Sequence, residues 1–262
     1  MLVRMEIESV LVTGANRGIG LELVKQLVQL PKTPKFVFAT YRDESSTQDL
    51  KNIKDSSKES HVVLIKMDIT KAEDIQNARR IIEDSVGEKG LNLVINNAGA
   101  AKYQSFNDIT EENMLFHFTT NTVGPLLVLK EMLPLLQKSA ANITDGLSVS
   151  RSAVLNISSL AGSMTMLSPS SPLGTDYLKI MGYRVSKAAL NMTMKIAALT
   201  LTKETGILLL NMCPGWVRTE MGTDRAMIDV WDSVSDIIKT LPTLNDSHHG
   251  TFLDRHGNTI PY

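Results

Sequence analysis

The fold is decided by Thr13-Gly14-Ala15-Asn16-Arg17-Gly18-Ile19-Gly20, a glycine-rich turn. It follows the apolar run Ser9-Val10-Leu11-Val12, which predicts a buried strand, and it precedes residues 19–28, whose apolar side chains recur at helical spacing. A helix N-terminus leaves backbone N–H groups unpaired and carries a partial positive charge, so it attracts phosphate. Glycines let the backbone turn tightly and approach a ligand. The order strand, glycine turn, helix therefore predicts a phosphate-binding site, although three glycines can also form a plain tight turn.

Length, charge and cysteine content narrow the class of protein. The chain has 262 residues, enough for one large α/β domain or two small ones. Its 27 basic and 28 acidic residues give a formal net charge of −1, which offers no electrostatic case for binding nucleic acid or an acidic membrane. Cys213 is the only cysteine, which fits a reducing compartment. There is no signal-peptide core and no apolar run near the roughly 20 residues of a membrane span. We expect a cytoplasmic protein.

Apolar segments alternate with helical patterns along the rest of the chain. Further strands are predicted at 36–41, 61–68, 90–96, 152–158, 207–212 and near 251–253. Helices are predicted within the polar run 43–60, at 71–86 with Thr70 as N-cap, at 110–136 with a bend near Gly124-Pro125, at 182–204 and at 229–240. This alternation favours a parallel sheet covered on both faces, with ligands at the carboxyl ends of the strands. No linker-like shift in composition occurs, so we predict one domain over residues 1–262.

Four motifs occur in a recognisable order. They are Thr13-Gly14-x-x-x-Gly18-x-Gly20, Asn96-Asn97-Ala98-Gly99, Tyr183-x-x-x-Lys187 and Pro214-Gly215. With them, essentially the whole chain resembles the short-chain dehydrogenase/reductase family, and residues 13–27, 67–70 and 250–258 look like the carbonyl reductases of the sniffer type. The resemblance implies an α/β single-domain Rossmann fold, with a doubly wound, seven-stranded parallel sheet and helices on both faces. It also implies NADPH-dependent reduction of aldehydes, ketones or quinones to alcohols.

Tyr183 and Lys187 form the candidate acid–base pair. Residues four apart lie on one face of a helix. A phenol has a pKa of about 10, and a nearby ammonium lowers that pKa toward neutrality. Of the five tyrosines, only Tyr183 has a lysine four positions later. Taken alone, a surface helical pair is an equally good interpretation. The resemblance implies that Tyr183 passes a proton to the substrate oxygen, while Lys187 lowers the tyrosine pKa and holds the nicotinamide ribose.

The resemblance implies two further catalytic residues. Ser159 would bind the substrate oxygen, with Ser158 supporting the strand end, although either serine could simply cap a turn. Asn121 would bend its helix and hold a water linked to Lys187, although on sequence alone it is an ordinary polar helix residue. Residues 163–180 form an insertion that we expect in the wall of the substrate pocket. Shortening it is expected to change substrate preference but to spare cofactor binding.

The cofactor contacts follow from the same resemblance. They are Gly14, Asn16, Arg17, Gly18, Ile19, Gly20, Tyr41, Arg42, Asp68, Ile69, Asn97, Ala98, Gly99, Tyr183, Lys187, Pro214, Gly215, Val217 and Thr219. An NAD site places an acid at the end of the second strand, where this chain has Tyr41 and Arg42. Arg17 and Arg42 suit bidentate bonds to a 2′-phosphate, so NADPH is favoured over NADH. Asp43 complicates this preference, and Asp68 could instead be a helix N-terminal acid.

Two other functions remain compatible with the sequence, which also indicates the metal content and the binding partners to expect. The chain could be an NADP(H)-binding redox sensor without chemistry, or an epimerase or dehydratase of the extended branch. Such sensors tend to lose the Tyr–Lys pair, and the extended enzymes carry a larger C-terminal domain. The sequence has no cluster of His, Cys and acidic residues, so it predicts no metal site. Cys213 is interpreted as a small buried residue rather than a nucleophile. A small carbonyl compound is the expected partner, together with a homodimer through helices 110–136 and 182–204, which an intact insertion could disfavour.

Overall fold

The computed structural model describes residues 5–168, 178–201 and 205–262. The strands are β1 Ser9–Val12, β2 Phe36–Tyr41, β3 His61–Lys66, β4 Leu93–Asn96, β5 Ala153–Ile157, β6 Leu208–Cys213 and β7 Phe252–Asp254. The helices are α1 Gly18–Leu27, α2 Gln48–Ser56, α3 Ala72–Val86, α4 Glu111–Phe118, α5 Gly124–Ala141, α6 Met181–Leu201 and α7 Val230–Thr240.

Within the described residues the seven strands form one sheet in the order β3-β2-β1-β4-β5-β6-β7. All the strand pairs are parallel. The chain winds outward from β1 to β3, returns to β4 beside β1, and then winds the other way. This reversal opens a crevice at the carboxyl ends of β1 and β4, which is where doubly wound sheets bind ligands. The predicted fold class is confirmed.

The sheet is buried on both faces because helices cover each of them, and successive strand residues point to opposite faces. Val10 and Val12 enter one core, which α1, α2 and α7 cover, while Leu11 enters the other, which α3, α5 and α6 cover. The strands therefore need apolar residues at every position rather than at alternate ones. This is why short continuous apolar runs located all seven strands.

Two details of the helices differ from prediction. Thr70 as the N-cap of α3 is wrong, because Lys71 occupies that position without a side-chain cap. The Asp68 carboxylate instead accepts hydrogen bonds from the Thr70 amide at 3.0 Å and the Thr70 hydroxyl at 2.7 Å. The long helix predicted at 110–136 continues to Ala141, and a π-helical turn at Thr119–Val123 separates α4 from α5 just before Gly124. Residues 202–204 of the predicted helix 182–204 lie outside the described residues, as do 169–177 of the insertion.

Candidate active site

An open cleft of about 2100 Å³ runs along the carboxyl edge of the sheet. Pockets for drug-sized ligands occupy roughly 300–1,000 Å³, so this cleft has room for a dinucleotide beside a second molecule. The glycine turn lines this cleft, and so do Ser159, Tyr183 and Lys187. The cleft thus joins the predicted phosphate site to the predicted acid–base residues.

The glycine turn is held close to the strand beside it. Gly14 has φ +62°, and a Cβ there would lie 2.9 Å from the Ala98 Cα. A Cβ at Gly20 would lie 2.3 Å from the Gly14 carbonyl oxygen, so neither position accepts a side chain. The Asn97 side-chain amide donates to the carbonyl oxygens of Thr13 at 2.9 Å and Gly14 at 3.0 Å. Asn97 therefore braces the turn while it also lines the cleft.

The basic residues predicted to select the cofactor lie at the rim of the cleft. Arg17 is exposed and forms an ion pair with Glu220, a partner that sequence reasoning missed. Arg42 also lines the cleft. Asp43 caps the short turn after it, where its carboxylate accepts from the Ser45 amide at 3.0 Å. These hydrogen bonds from Ser45 hold the pKa of Asp43 below its usual value, and they keep the carboxylate within its own turn.

Lys187 is buried beneath the cleft, with 5% of its surface exposed. Its Nζ donates to the Ile157 carbonyl oxygen at 2.7 Å and lies 5.7 Å from the centroid of the Tyr183 ring. Burial lowers the pKa of Lys187 to about 8. The ammonium is therefore retained at neutral pH, but only by a narrow margin.

Tyr183 and Ser159 meet above this lysine. Burial raises the pKa of Tyr183 to about 12, and a hydrogen bond with Ser159 acts in the opposite direction. The sequence predicts a lowered tyrosine pKa, but desolvation of the phenolate outweighs the hydrogen bond from Ser159 and the net change is upward. Tyr183 is therefore a protonated phenol at neutral pH. Ser159 begins the short turn Leu160–Gly162 and accepts from the Ala161 amide at 3.1 Å.

Asn121 lies in the π-helical turn and is fully buried. Its side-chain oxygen accepts from the Ala100 amide at 2.8 Å, and its NH₂ group donates to the Ala100 carbonyl at 2.9 Å and to Ser186 Oγ at 3.0 Å. Ser186 Oγ in turn donates to the Tyr183 carbonyl oxygen at 2.7 Å. Both amide hydrogens are thus occupied by protein, and the side chain ties the strand-end loop to α6.

His117 is a second buried group beside Tyr183 that sequence reasoning missed. Its Nε2 lies 2.9 Å from the Lys102 amide, which can only donate, so Nε2 accepts and Nδ1 carries the proton. Nδ1 then donates to the Asn113 carbonyl at 2.8 Å. Burial lowers the pKa of His117, so the ring is neutral, and it packs edge-on against Tyr183 at 6.4 Å. A single histidine in a predicted helix gives no indication in the sequence that its ring will be buried against Tyr183.

Most of the predicted site residues line the cleft, but three do not. Gly20 packs behind the glycine turn, and Asn121 lies beneath the loop at Ala100. The Tyr41 side chain is hydrogen-bonded to Glu44, which raises the pKa of Tyr41 to about 12.

The Cys213 thiol is buried and accepts from the Leu160 amide at 3.1 Å. Among the described residues, no group of three His, Cys or acidic side chains is placed to hold a metal ion. In the same ranges, none of the helices has the length and apolar character needed to cross a bilayer.

The cleft, the turn and the Ser–Tyr–Lys cluster together form the candidate site of a doubly wound fold. The chain belongs to the short chain dehydrogenase family, whose sequence profile matches residues 8–227. Among solved structures it is similar to an NADPH-bound carbonyl reductase from chicken fatty liver, with 37% identity, a TM-score of 0.92 and coverage of 100% of this chain and 96% of that chain.

Two further relatives agree with this assignment. The carbonyl reductase Sniffer of D. melanogaster is 33% identical, with a TM-score of 0.89 and coverage of 98% of this chain and 100% of that one. An uncharacterized oxidoreductase of Schizosaccharomyces pombe is 31% identical in an alignment of 271 positions that covers 96% of each chain. The resemblance predicted from the four motifs is confirmed, and the chain is an oxidoreductase of this family.

Proposed function

We propose that this chain is an NADPH-dependent carbonyl reductase that converts aldehydes, ketones or quinones to alcohols. The observation that carries the proposal is the protonated Tyr183 phenol beside Ser159 and the buried Lys187, in the same cleft that the glycine turn lines. A reductase must deliver a proton to the oxygen of its product. A phenol that stays protonated at neutral pH is suited to that task.

The residues around the cleft fit a dinucleotide with a 2′-phosphate. Gly14 and Gly18 line the cleft without side chains, so the backbone of the turn can approach a pyrophosphate at the N-terminus of α1. Arg17 and Arg42 both line the cleft and can pair with the phosphate. Asp43 is held in its own turn, which supports NADPH over NADH. Tyr41, the residue before Arg42, is hydrogen-bonded to Glu44 and would support the site without lining the cleft.

Each catalytic side chain has a distinct task in this proposal. Bound NADPH supplies the hydride. Ser159 donates a hydrogen bond to the carbonyl oxygen and so polarises it. Tyr183 donates its proton to the same oxygen as negative charge develops there. Lys187 stabilises the resulting phenolate and is oriented by its bond to Ile157. Asn121 would hold the backbone of Ala100 in place and hold a water linked to Lys187, as the family resemblance implies.

Loss of NADPH absorbance with a panel of aldehydes, ketones and quinones tests this proposal. Replacing Tyr183 by Phe removes the proton donor and should lower kcat about 10²–10⁴-fold, while NADPH affinity changes little. Tyr103→Phe is the matched control, because Tyr103 also lines the cleft but has no lysine four residues later. Equal kcat values in the two variants would contradict the assignment of Tyr183.

The alternative function is a redox sensor that binds NADP(H) without chemistry. It would retain the glycine turn, the arginines and the ribose contact of Lys187, but it would not require the Tyr183 phenol beside Ser159. NADPH binding without turnover of any carbonyl compound would favour the sensor. An epimerase or dehydratase would instead convert its substrate with no net consumption of NADPH.

We also propose that the chain, as one domain over residues 1–262, forms a cytoplasmic homodimer through α4, α5 and α6. The outer face of α6 exposes Val185, Met192, Ile196 and Leu199, which recur at helical spacing. Such an exposed apolar stripe is typical of an interface with another protein. The single cysteine, a free thiol, supports a reducing compartment. Light scattering should give twice the monomer mass, and Ile196→Glu should return the monomer.

A further inference from the structure

The segment that follows Ser159 is attached to the last two residues of the sequence, Pro261 and Tyr262, which we call the Pro261-Tyr262 clamp. Ser163 Oγ donates to the Pro261 carbonyl oxygen at 2.5 Å. Thr165 donates twice to the Tyr262 carbonyl oxygen, from Oγ1 at 2.6 Å and from its amide at 3.2 Å. Three hydrogen bonds within three residues make this a built contact between distant parts of the chain.

The clamp is itself anchored to the core of the sheet. The Tyr262 hydroxyl donates to the Gly250 carbonyl oxygen at 2.9 Å, and its ring packs 5.9 Å from that of Phe252. Phe252 is fully buried in β7, and its carbonyl oxygen accepts from the Ile260 amide at 2.8 Å. The position of Pro261 and Tyr262 is therefore set by β7, at the edge of the sheet.

The clamped segment forms part of the wall of the cleft. Met166 lines the cleft, and its amide donates to Ser163 Oγ at 3.1 Å. The Ser163 hydroxyl thus closes the turn that carries Met166 and ties that turn to Pro261. At the other end of the segment, a Cβ on Gly162 would lie 2.7 Å from the Lys187 backbone carbon, so the Ser159 turn lies directly against α6. The catalytic serine is positioned by α6, whereas the Met166 wall is held by the clamp.

We propose that Pro261 and Tyr262 are positioning residues that set substrate preference by holding Met166 against the substrate. This rests on the carbonyl reductase function proposed above. A methionine side chain adapts readily to different shapes, so its selectivity depends on how firmly its backbone is held. A fixed wall favours compact carbonyl compounds that it contacts closely, and a loosened wall admits bulky ones and contacts compact ones less well.

The test compares the full chain with a variant that lacks residues 261–262 and with Ser163→Ala. Ser85→Ala is the matched control, because Ser85 Oγ also donates to a backbone carbonyl, that of Ile81, but lies on α3 away from the cleft. For each variant we would measure kcat and KM with a compact aldehyde and a bulky aromatic ketone, and the Kd for NADPH. Both clamp variants should raise KM for the aldehyde about three- to tenfold and shift the aldehyde-to-ketone ratio of kcat/KM, with NADPH Kd within twofold.

Amide hydrogen exchange gives a readout that does not depend on turnover. Loss of the clamp should speed exchange at Thr165 and Met166, whose amides bond to Tyr262 and Ser163, without changing exchange in α6. Equal loss of activity for both substrates, or unchanged exchange at these amides, would overturn the proposal. Faster exchange in a chain that reduces no carbonyl compound would support the clamp and refute the proposed reaction.

Discussion

Arg17→Ala offers a direct test of how this chain selects its cofactor. In the free protein the Arg17 guanidinium pairs with Glu220, so binding a 2′-phosphate requires it to share or leave that partner. The side chains of Arg17 and Glu220 are 64% and 75% exposed, and a pair in water contributes only about 0–1 kcal/mol. A hydrogen bond between a guanidinium and a phosphate is worth about 1.5–3 kcal/mol.

The difference gives the expected magnitude. Losing Arg17 should cost NADPH binding about 0.5–3 kcal/mol, which is roughly a 2–150-fold rise in Kd. NADH has no 2′-phosphate, so its Kd should change less than about twofold. Glu220→Gln should act in the opposite direction and tighten NADPH by up to about fivefold, because the guanidinium is released from its partner. Both effects should shrink as salt rises, since the charges are exposed.

The assay is a titration of each cofactor followed by quenching of the two tryptophans, one of which, Trp216, lines the cleft. Arg79→Ala is the control for loss of a surface guanidinium, because Arg79 pairs with Glu131 between α3 and α5. Equal losses for NADPH and NADH in Arg17→Ala would refute the reasoning. Weaker NADPH binding in Glu220→Gln would show instead that the ion pair orders the site.

Three further predictions follow from buried or strained groups. Burial lowers the pKa of Lys187 from 10.5 to about 8, so between these pH values the unfolded chain binds more protons and the free energy of unfolding rises with pH. In urea unfolding, the free energies of the natural chain and of Lys187→Met should therefore differ less at about pH 10 than at about pH 8. A difference that stays constant with pH would contradict this. Burial also lowers the pKa of His117, so the free energy of unfolding should fall as the pH drops below 6.5. In His117→Gln, whose side-chain oxygen can still accept from the Lys102 amide, that loss should be smaller in the same assay. Identical pH profiles for the two chains would refute this prediction. Thr223 has φ +64°, which strains a β-branched residue, so Thr223→Gly should raise Tm by about 1–2 °C in calorimetry, and a lower Tm would be the contrary result.

The strands and the glycine turn could be predicted because their causes are local. Continuous apolar runs identify strands that are buried on both faces, and the turn needs glycine wherever φ is positive or the backbone must approach a neighbour closely. The ends of the helices were harder to predict from the sequence. Thr70 has the chemistry of an N-cap, but the Asp68 carboxylate two residues earlier captures its amide and hydroxyl. Competition between neighbouring polar groups decides such cases, and residue type alone does not reveal it.

Residue type and spacing in the sequence determined the fold class, the glycine turn and the pairing of Tyr183 with Lys187, because each depends on neighbours within a few positions. The tertiary structure alone decided the protonation of Tyr183, since burial by distant segments raises its pKa to about 12 although a lysine lies one helical turn away. It also decided the partners of Arg17, His117 and Ser163. Arg17 pairs with Glu220 and Ser163 with Pro261, which are distant in the sequence, whereas His117 accepts from Lys102, which is nearer. The sequence names the groups that can react, and packing sets their charge and position.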